Sequence, residues 1–305
     1  MSKLMKGCLI TALGCAVLGA VVLACAVSAG GIEQIRQMAE NGELSFDPDH
    51  IHWEWSFGPG EGDYDIPVVS EGKALKWELT EQETAQIEQL EIDIKGGALT
   101  VVSTDEDIIR AECSGSHPVK FSVEDDVLKL QDKGHENWRP FEKREILLYL
   151  PAGTDLKKVV CDVGGGMVEM DALTADQAEI DLGAGQLVID HMICKKAEGT
   201  IGAGSMRIGD ADIDEAAFDV GAGEIRYAGR IGKRLEAECS MGQADFELEN
   251  KEEDYNYSID VSMGEIQIGQ ESYEGLDSQR NVDNGADREI ELDCSMGRIR
   301  VTFEE

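Results

Sequence analysis

The sequence predicts an all-β chain: a β-solenoid of about eight coils, single-stranded and β-helix-like, preceded by one N-terminal transmembrane helix. Three observations carry this. A Gly-rich motif recurs eight times, and Gly166, Gly185, Gly204, Gly223 and Gly242 stand nineteen residues apart. Apolar and polar residues alternate on both sides of each copy. An uncharged, apolar run occupies the N-terminus. The three predicted regions are 1–31, a cytoplasmic stub and membrane helix; 32–72, an acidic and disordered linker; and 73–305, the solenoid.

Gly7 through Gly31 carries no charged residue, and a run of that length can cross a bilayer as one helix. Lys3 and Lys6 precede it and Glu33 follows. The positive-inside bias then puts the N-terminus in the cytoplasm and the repeats outside. The expected location is the cell membrane, single-pass, with the repeat domain extracytoplasmic. Two rivals remain at this point. Val27-Ser28-Ala29 is a possible cleavage site for a signal peptide, and Val22-Leu23-Ala24-Cys25 resembles a lipoprotein box.

Between Gln37 and Gly72 there is no Lys or Arg, while Asp47, Asp49, Glu54, Glu61, Asp63, Asp65 and Glu71 accumulate around Gly58-Pro59-Gly60. Such composition favours a solvated linker over a packed core. His50 and His52 lie in it beside Asp47, Asp49 and Glu54. These are metal-ligand types at close spacing, but His-x-His in a flexible acidic linker is a weak signal, and the stretch is read as a spacer.

In the repeats, period-two alternation means strand with one face buried. Nineteen residues hold two or three short strands and their corners, one coil of a solenoid. The Gly-rich triplet reads as a corner that uses backbone angles other residues avoid. Stacked coils would put equivalent residues in ladders about 4.8 Å apart. One inward ladder is Val163, Leu182, Ile201, Val220, Cys239, Val261, Cys294. A second inward ladder is Gly165, Ala184, Ala203, Ala222, Met241, Met263, Met296. Two more begin at Val168, Leu187 and at Met170, Ile189.

The formal net charge is −35. Charge of that sign and size repels nucleic acid and anionic lipid, so nucleic-acid binding is excluded. It suits cations or basic proteins as partners, and it also keeps an edge-rich β protein soluble. Of the eight cysteines, Cys8, Cys15 and Cys25 lie in the N-terminal apolar run, and Cys161, Cys239 and Cys294 at inward positions. Val261 stands between Cys239 and Cys294 in the expected ladder, two strand spacings that no disulfide bridges. Cys113 and Cys194 are left open, and no CxxC occurs.

Leu90-Glu91-Ile92-Asp93-Ile94-Lys95-Gly96-Gly97-Ala98-Leu99-Thr100-Val101 surrounds the upstream motif copy at Gly97. Glu145 to Gly153 and Leu156-Lys157-Lys158-Val159 precede the regular Gly-rich copies. From about Leu75 to Phe303 the set resembles the DUF4097 family, the "toastrack" adhesin-type β-strand repeat of bacterial envelope proteins. In that resemblance the first stretch looks like the family's opening strand pair and the second like its strand-Pro-Gly turn. The resemblance implies an extracytoplasmic role in interaction, adhesion or envelope-stress sensing, with another envelope protein or a cell-wall polymer as partner. It implies no catalytic residues, so none are assigned.

The polar residue before each corner is Asp93, Asp162, Asp181, Thr200, Asp219, Glu238, Asp260 or Asp293. Asp162, Asp181, Asp219 and Asp260 are the candidates for an oxygen-ligand cation ladder. The calcium nonapeptide comparison fails, because Val168, Leu187, Met206 and Ile225 occupy the places its Asp requires. The simpler reading is that each Asp accepts hydrogen bonds from its corner's amides, with Arg207, Arg226 and Arg300 offsetting the charge. No cofactor is expected. The alternative functional class is a polysaccharide-active β-helix enzyme at the cell surface, which needs two placed carboxylates. No GxSxG, HExxH or P-loop pattern supports catalysis, so the expected protein is not an enzyme.

Overall fold

The computed structural model describes residues 75–114, 119–132, 144–274 and 278–304. The expected membrane helix and its rivals, the linker and the His50/His52 pair all lie outside them. No described helix is long and apolar enough to cross a membrane.

The centre is built from four long strands, β9 (Met167–Leu182), β10 (Gln186–Ile201), β11 (Ser205–Val220) and β12 (Glu224–Cys239). They pair in parallel at a nineteen-residue step, with Leu187 opposite Val168 and Met206. Each strand is a bent coil. In β9 the in–out alternation slips at Asp171-Ala172 and again at Asp176-Gln177. Such slips divide the coil into three short sides between Gly-rich corners. The buried row is Val163, Leu182, Ile201, Val220, and a second is Leu187, Met206, Ile225. Both were expected from the alternation.

At one end lie β2 (Gln89–Ile94), β3 (Ala98–Thr104), β4 (Arg110–Ser114), β5 (Lys120–Glu124), β6 (Val127–Gln131), β7 (Glu145–Pro151) and β8 (Leu156–Val163). Here β2 sits between β8 and β6, and β3 between β9 and β7. Antiparallel strands β5 and β4 then cover β6 and β7, and β1 (Leu75–Glu78) covers β4. A single helical turn, α1 (Glu81–Thr84), follows β1 behind a Thr80–Glu83 capping box.

The other end holds β13 (Gln243–Leu248), β14 (Tyr255–Val261), β15 (Glu265–Ile268), β16 (Glu271–Glu274), β17 (Ser278–Val282), β18 (Arg288–Cys294) and β19 (Arg298–Phe303). The last coil is inserted. β18 lies between β12 and β14, and β19 between β13 and β15. This corrects the expected ladder order. Cys294 follows Cys239 directly, and Val261 lies beyond it.

The core is aliphatic along most of its length and becomes aromatic near β12. Phe218, Tyr227 and Phe246 meet with centroids 6.1–6.4 Å apart. Two buried polar side chains there bond to each other. Tyr255 donates to Asn250 Oδ1 at 2.7 Å, and the same oxygen accepts from the Ile231 amide at 3.2 Å. At the opposite end half-buried Arg144 pairs with buried Asp132 at 2.5 Å beside the Lys95-Gly96-Gly97 corner. Arg144 also donates to the Gly96 carbonyl. The pair serves the corner that has no regular coil beyond it.

Candidate functional site

The candidate surface begins with the residue before each corner. These stack in the spatial order Asp93, Asp162, Asp181, Thr200, Asp219, Glu238, Asp293, Asp260, each in register with the next. The sequence located this row, and the inserted coil changes only its order. Burial first, and then the Asp93 and Asp181 carboxylates, raise the pKa of Asp162. Burial, with Asp219 and Asp293 beside it, raises that of Glu238, and burial with Asp260 raises that of Asp293. Like charges repeating along a strand stack disfavour the ionised form.

The corner amides do not serve this row. They donate to carbonyls of the neighbouring coil, Gly183 N to Val163 O at 2.8 Å and Ala184 N to Gly164 O at 3.0 Å. The expected Asx-type bonds are therefore absent among the described residues. Nor do the arginines offset it. Arg226 pairs with Glu224 at 2.5 Å, Arg300 with Asp245 at 3.7 Å, and Arg207 stands opposite Arg226 on the side after the corner. Among the described residues the one side-chain bond to the row is at its end, where Gln279 donates to Asp260 at 2.6 Å.

The row two residues earlier on the same face contrasts with it. Lys129 meets Glu91 at 3.3 Å, Lys158 meets Glu179 at 2.7 Å, Lys196 meets Glu198 at 2.5 Å, and Arg234 meets Glu291 at 2.5 Å. The result is one stripe neutralised by ion pairs beside one anionic stripe without them among the described residues, where Lys95 acts on Asp162 only as a weaker, more distant charge. The carboxylates of Asp162, Asp181, Asp219 and Asp260 stack in a line, and among the described residues no three His, Cys, Asp or Glu converge to hold a metal ion.

The corner explains its own glycines. Of the eight last-position glycines, only Gly97 and Gly166 have positive φ, 91° and 90°. The rest are required by close approach. A Cβ on Gly204 would lie 2.4 Å from Gly185 O, and one on Gly223 would lie 2.3 Å from Gly204 O. The middle corner position, expected inward, points out. Ala184, Ala203 and Ala222 are exposed, and Met241, Met296 and Met263 are 55%, 54% and 63% exposed. The turn reverses the count of faces there.

All five described cysteines are free and buried. Burial pushes the Cys161 thiol up to about 12. The Cys239 thiol donates to the Cys294 sulfur, which favours thiolate at Cys294 and disfavours it at Cys239. His191 Nδ1 lies 2.6 Å from Asp210 Oδ2, both exposed. The depressions are open and shallow. One of about 600 Å³ runs along Met241, Met296 and Met263 with Gln243, Glu265 and Glu274. Another of about 390 Å³ is lined by Asp210, Glu247, Glu249 and Phe303.

The family model described as Toastrack DUF4097 matches residues 87–279. No curated protein sequence matches the chain. Among solved structures, one named "putative adhesin" from Parabacteroides distasonis is 15% identical, with a TM-score of 0.40, covering 77% of this chain and 98% of its own. Another so named, from Bacteroides fragilis, is 11% identical, with a TM-score of 0.40 and coverage of 75% and 97%. A "Putative lipid binding protein" from Parabacteroides distasonis is 13% identical, with a TM-score of 0.33 and coverage of 77% and 98%.

Proposed function

The chain belongs to the Toastrack DUF4097 family, and from that premise we propose that its solenoid is a non-catalytic interaction module of the cell envelope. An anchor within residues 1–31 holds it at the membrane, single-pass, with the repeats outside. Its partner is another envelope protein or a cell-wall polymer carrying positive charge. Adhesion or envelope-stress sensing is the consequence of that contact.

The observation that carries this reading is the bare carboxylate stripe. Its members stand at strand spacing along successive coils, while the adjacent Glu stripe is neutralised by Lys and Arg. An unneutralised line of like charge raises the pKa of its own members, and a cationic ligand relieves that repulsion. A hydrolase would instead need two carboxylates placed across a groove that holds a sugar ring.

The test uses the full-length, membrane-embedded chain as bait for chemical cross-linking in whole cells. The expected result is a salt-sensitive adduct that is lost when Asp162, Asp181, Asp219 and Asp293 are all changed to Asn. The purified protein should release no reducing sugar from cell-wall polymer. Equal adduct yield from the Asn variant, or sugar release, would overturn the reading.

A further inference from the structure

We infer that Met241, Met296 and Met263 form a binding site for a soft monovalent metal ion, Cu(I) or Ag(I), through their thioether sulfurs. The three come from the sequences Cys239-Ser240-Met241-Gly242, Cys294-Ser295-Met296-Gly297 and Val261-Ser262-Met263-Gly264. Coil insertion makes them consecutive neighbours. Met296 N donates to Ser240 O at 2.8 Å, and Met263 N donates to Ser295 O at 2.7 Å. Met296 is therefore central, with one partner a coil above and one a coil below.

The spacing suits shared coordination. Adjacent coils rise by about 4.8 Å. Metal–sulfur bonds run about 2.3 Å, so two sulfurs on one ion lie at most about 4.6 Å apart. Each Met has three rotatable bonds with which to make up the difference and to fold the outer sulfurs toward the central one.

These side chains are more than half exposed. The same corner position holds Gly165, Ala184, Ala203 and Ala222 on the other regular coils, so the fold does not require bulk there. On these three coils a large apolar residue faces solvent instead. The surroundings favour a cation. Glu238, Asp293 and Asp260 stand three residues before the three methionines, and Glu265 and Glu274 line the same depression. Among the described residues that line it the one cation, Arg298, is paired with Glu265 at 3.2 Å.

Donor chemistry selects the ion. Calcium and magnesium require oxygen ligands, and zinc takes thiolate and imidazole. Neutral thioethers favour Cu(I) and its soft congener Ag(I). Cys239 and Cys294 are close in sequence but are buried on the inward face, away from the exposed row.

The experiment titrates the full-length chain in detergent with Cu(I), under ascorbate, against a chromogenic Cu(I) chelator. A parallel titration uses Ag(I) on protein carrying 13C-labelled Met ε-methyl groups. We expect one equivalent to be lost in the Met241→Leu/Met263→Leu/Met296→Leu variant with no change in melting, because the sites are exposed. Three of the ten Met methyl signals should shift with Ag(I), and Ca²⁺ and Zn²⁺ should not displace it. The Cys239→Ala/Cys294→Ala variant should keep the equivalent, which separates thioether from thiol binding. Should the triple variant misfold, Met296→Leu alone should weaken binding at least about tenfold, since it removes the donor shared by both neighbours. Equal stoichiometry in wild type and the triple variant, loss on removing the cysteines, or methyl shifts elsewhere would overturn the proposal.

Discussion

Gly223→Ala tests why this chain repeats glycine at all. Gly223 has an ordinary φ, so backbone preference does not select it. Its neighbours do. An added Cβ would lie 2.3 Å from Gly204 O and 2.7 Å from Ile201 Cγ2. The first of these is the acceptor of the Glu224 amide, at 2.9 Å. The coils must part locally, and that bond is lost. Losing a buried backbone bond costs about 0.5–1.5 kcal/mol. Forcing a methyl into a packed interior adds about 1–3 kcal/mol. Together these give roughly 3 kcal/mol, or a fall in Tm of roughly 6–12 °C for a domain of this size. Two controls accompany it. Gly285→Ala has positive φ, 68°, and no atom within 4 Å, so it should cost only the left-handed strain of about 1–2 kcal/mol. Ala203→Met places at an exposed corner what Met241 already places at its own, and should stay within about 0.5 kcal/mol. Thermal melting followed by circular dichroism reads all three. A Gly223→Ala melting point within about 2 °C of wild type would refute the close-approach argument.

Three further outcomes are expected. Ile189 is fully buried and Gln186 half-exposed, so Ile189→Asp should strand a charge in the core and lower the melting point sharply, while Gln186→Asp stays near wild type; similar shifts would mean the faces are exchanged. Asp162, Glu238 and Asp293 have folded pKa values above their ordinary ones, so the folded state binds more protons between the unfolded and folded pKa values, and stability contributed by these groups falls as pH rises through that window. A pH series at constant ionic strength should therefore show a gain on mild acidification that is smaller in Asp162→Asn; stability falling steadily from neutral pH downward in both proteins contradicts this. Ca²⁺ against Na⁺ of equal ionic strength should give only a small, non-saturating gain in melting, whereas a saturable gain of about 2.7 kcal/mol at a hundredfold excess over Kd, abolished by Asp181→Asn, would make the Asp stripe a true site.

The coil itself was legible because two signals coincide in it. The nineteen-residue step places Leu187 beside Met206, and alternation points both inward, where they are fully buried. The carboxylate row was legible for the same reason. What failed has specific causes. Alternation counts faces only along extended backbone, so it could not be carried through the corner, and Met241 was assigned to the core although it points out. Glycine at the corner suggested unusual φ, but for Gly185, Gly204 and Gly242 the cause is a carbonyl or side chain of the adjacent coil. That the Asp stripe, Asp260 apart, has no side-chain hydrogen bond or ion pair among the described residues was invisible as well. Whether Arg226 reaches Asp219 or Glu224 depends on which side of the coil carries it, and the corner moves it to Glu224.

The least legible feature, the inserted end coils, has the clearest physical reason. A solenoid's terminal coil presents unpaired strand edges that invite another chain to add. Placing the first and last coils inside the stack gives β2, β3, β18 and β19 two neighbours each. Unravelling from either then requires breaking two ladders. The outermost positions pass to antiparallel strands, β5 with Lys120 and Glu124, and β17 with Gln279, Arg280 and Asn281. An antiparallel, polar edge interrupts the parallel hydrogen-bonding pattern that a second solenoid would need in order to continue the stack. Nothing in a local window of sequence encodes this, because the step from Gly242 to Gly264 to Gly297 lengthens without saying which coil lies between. The same insertion sets Met296 between Met241 and Met263. In sequence order Met263 would have been central, so the metal titration of Met296→Leu also tests the arrangement of the coils.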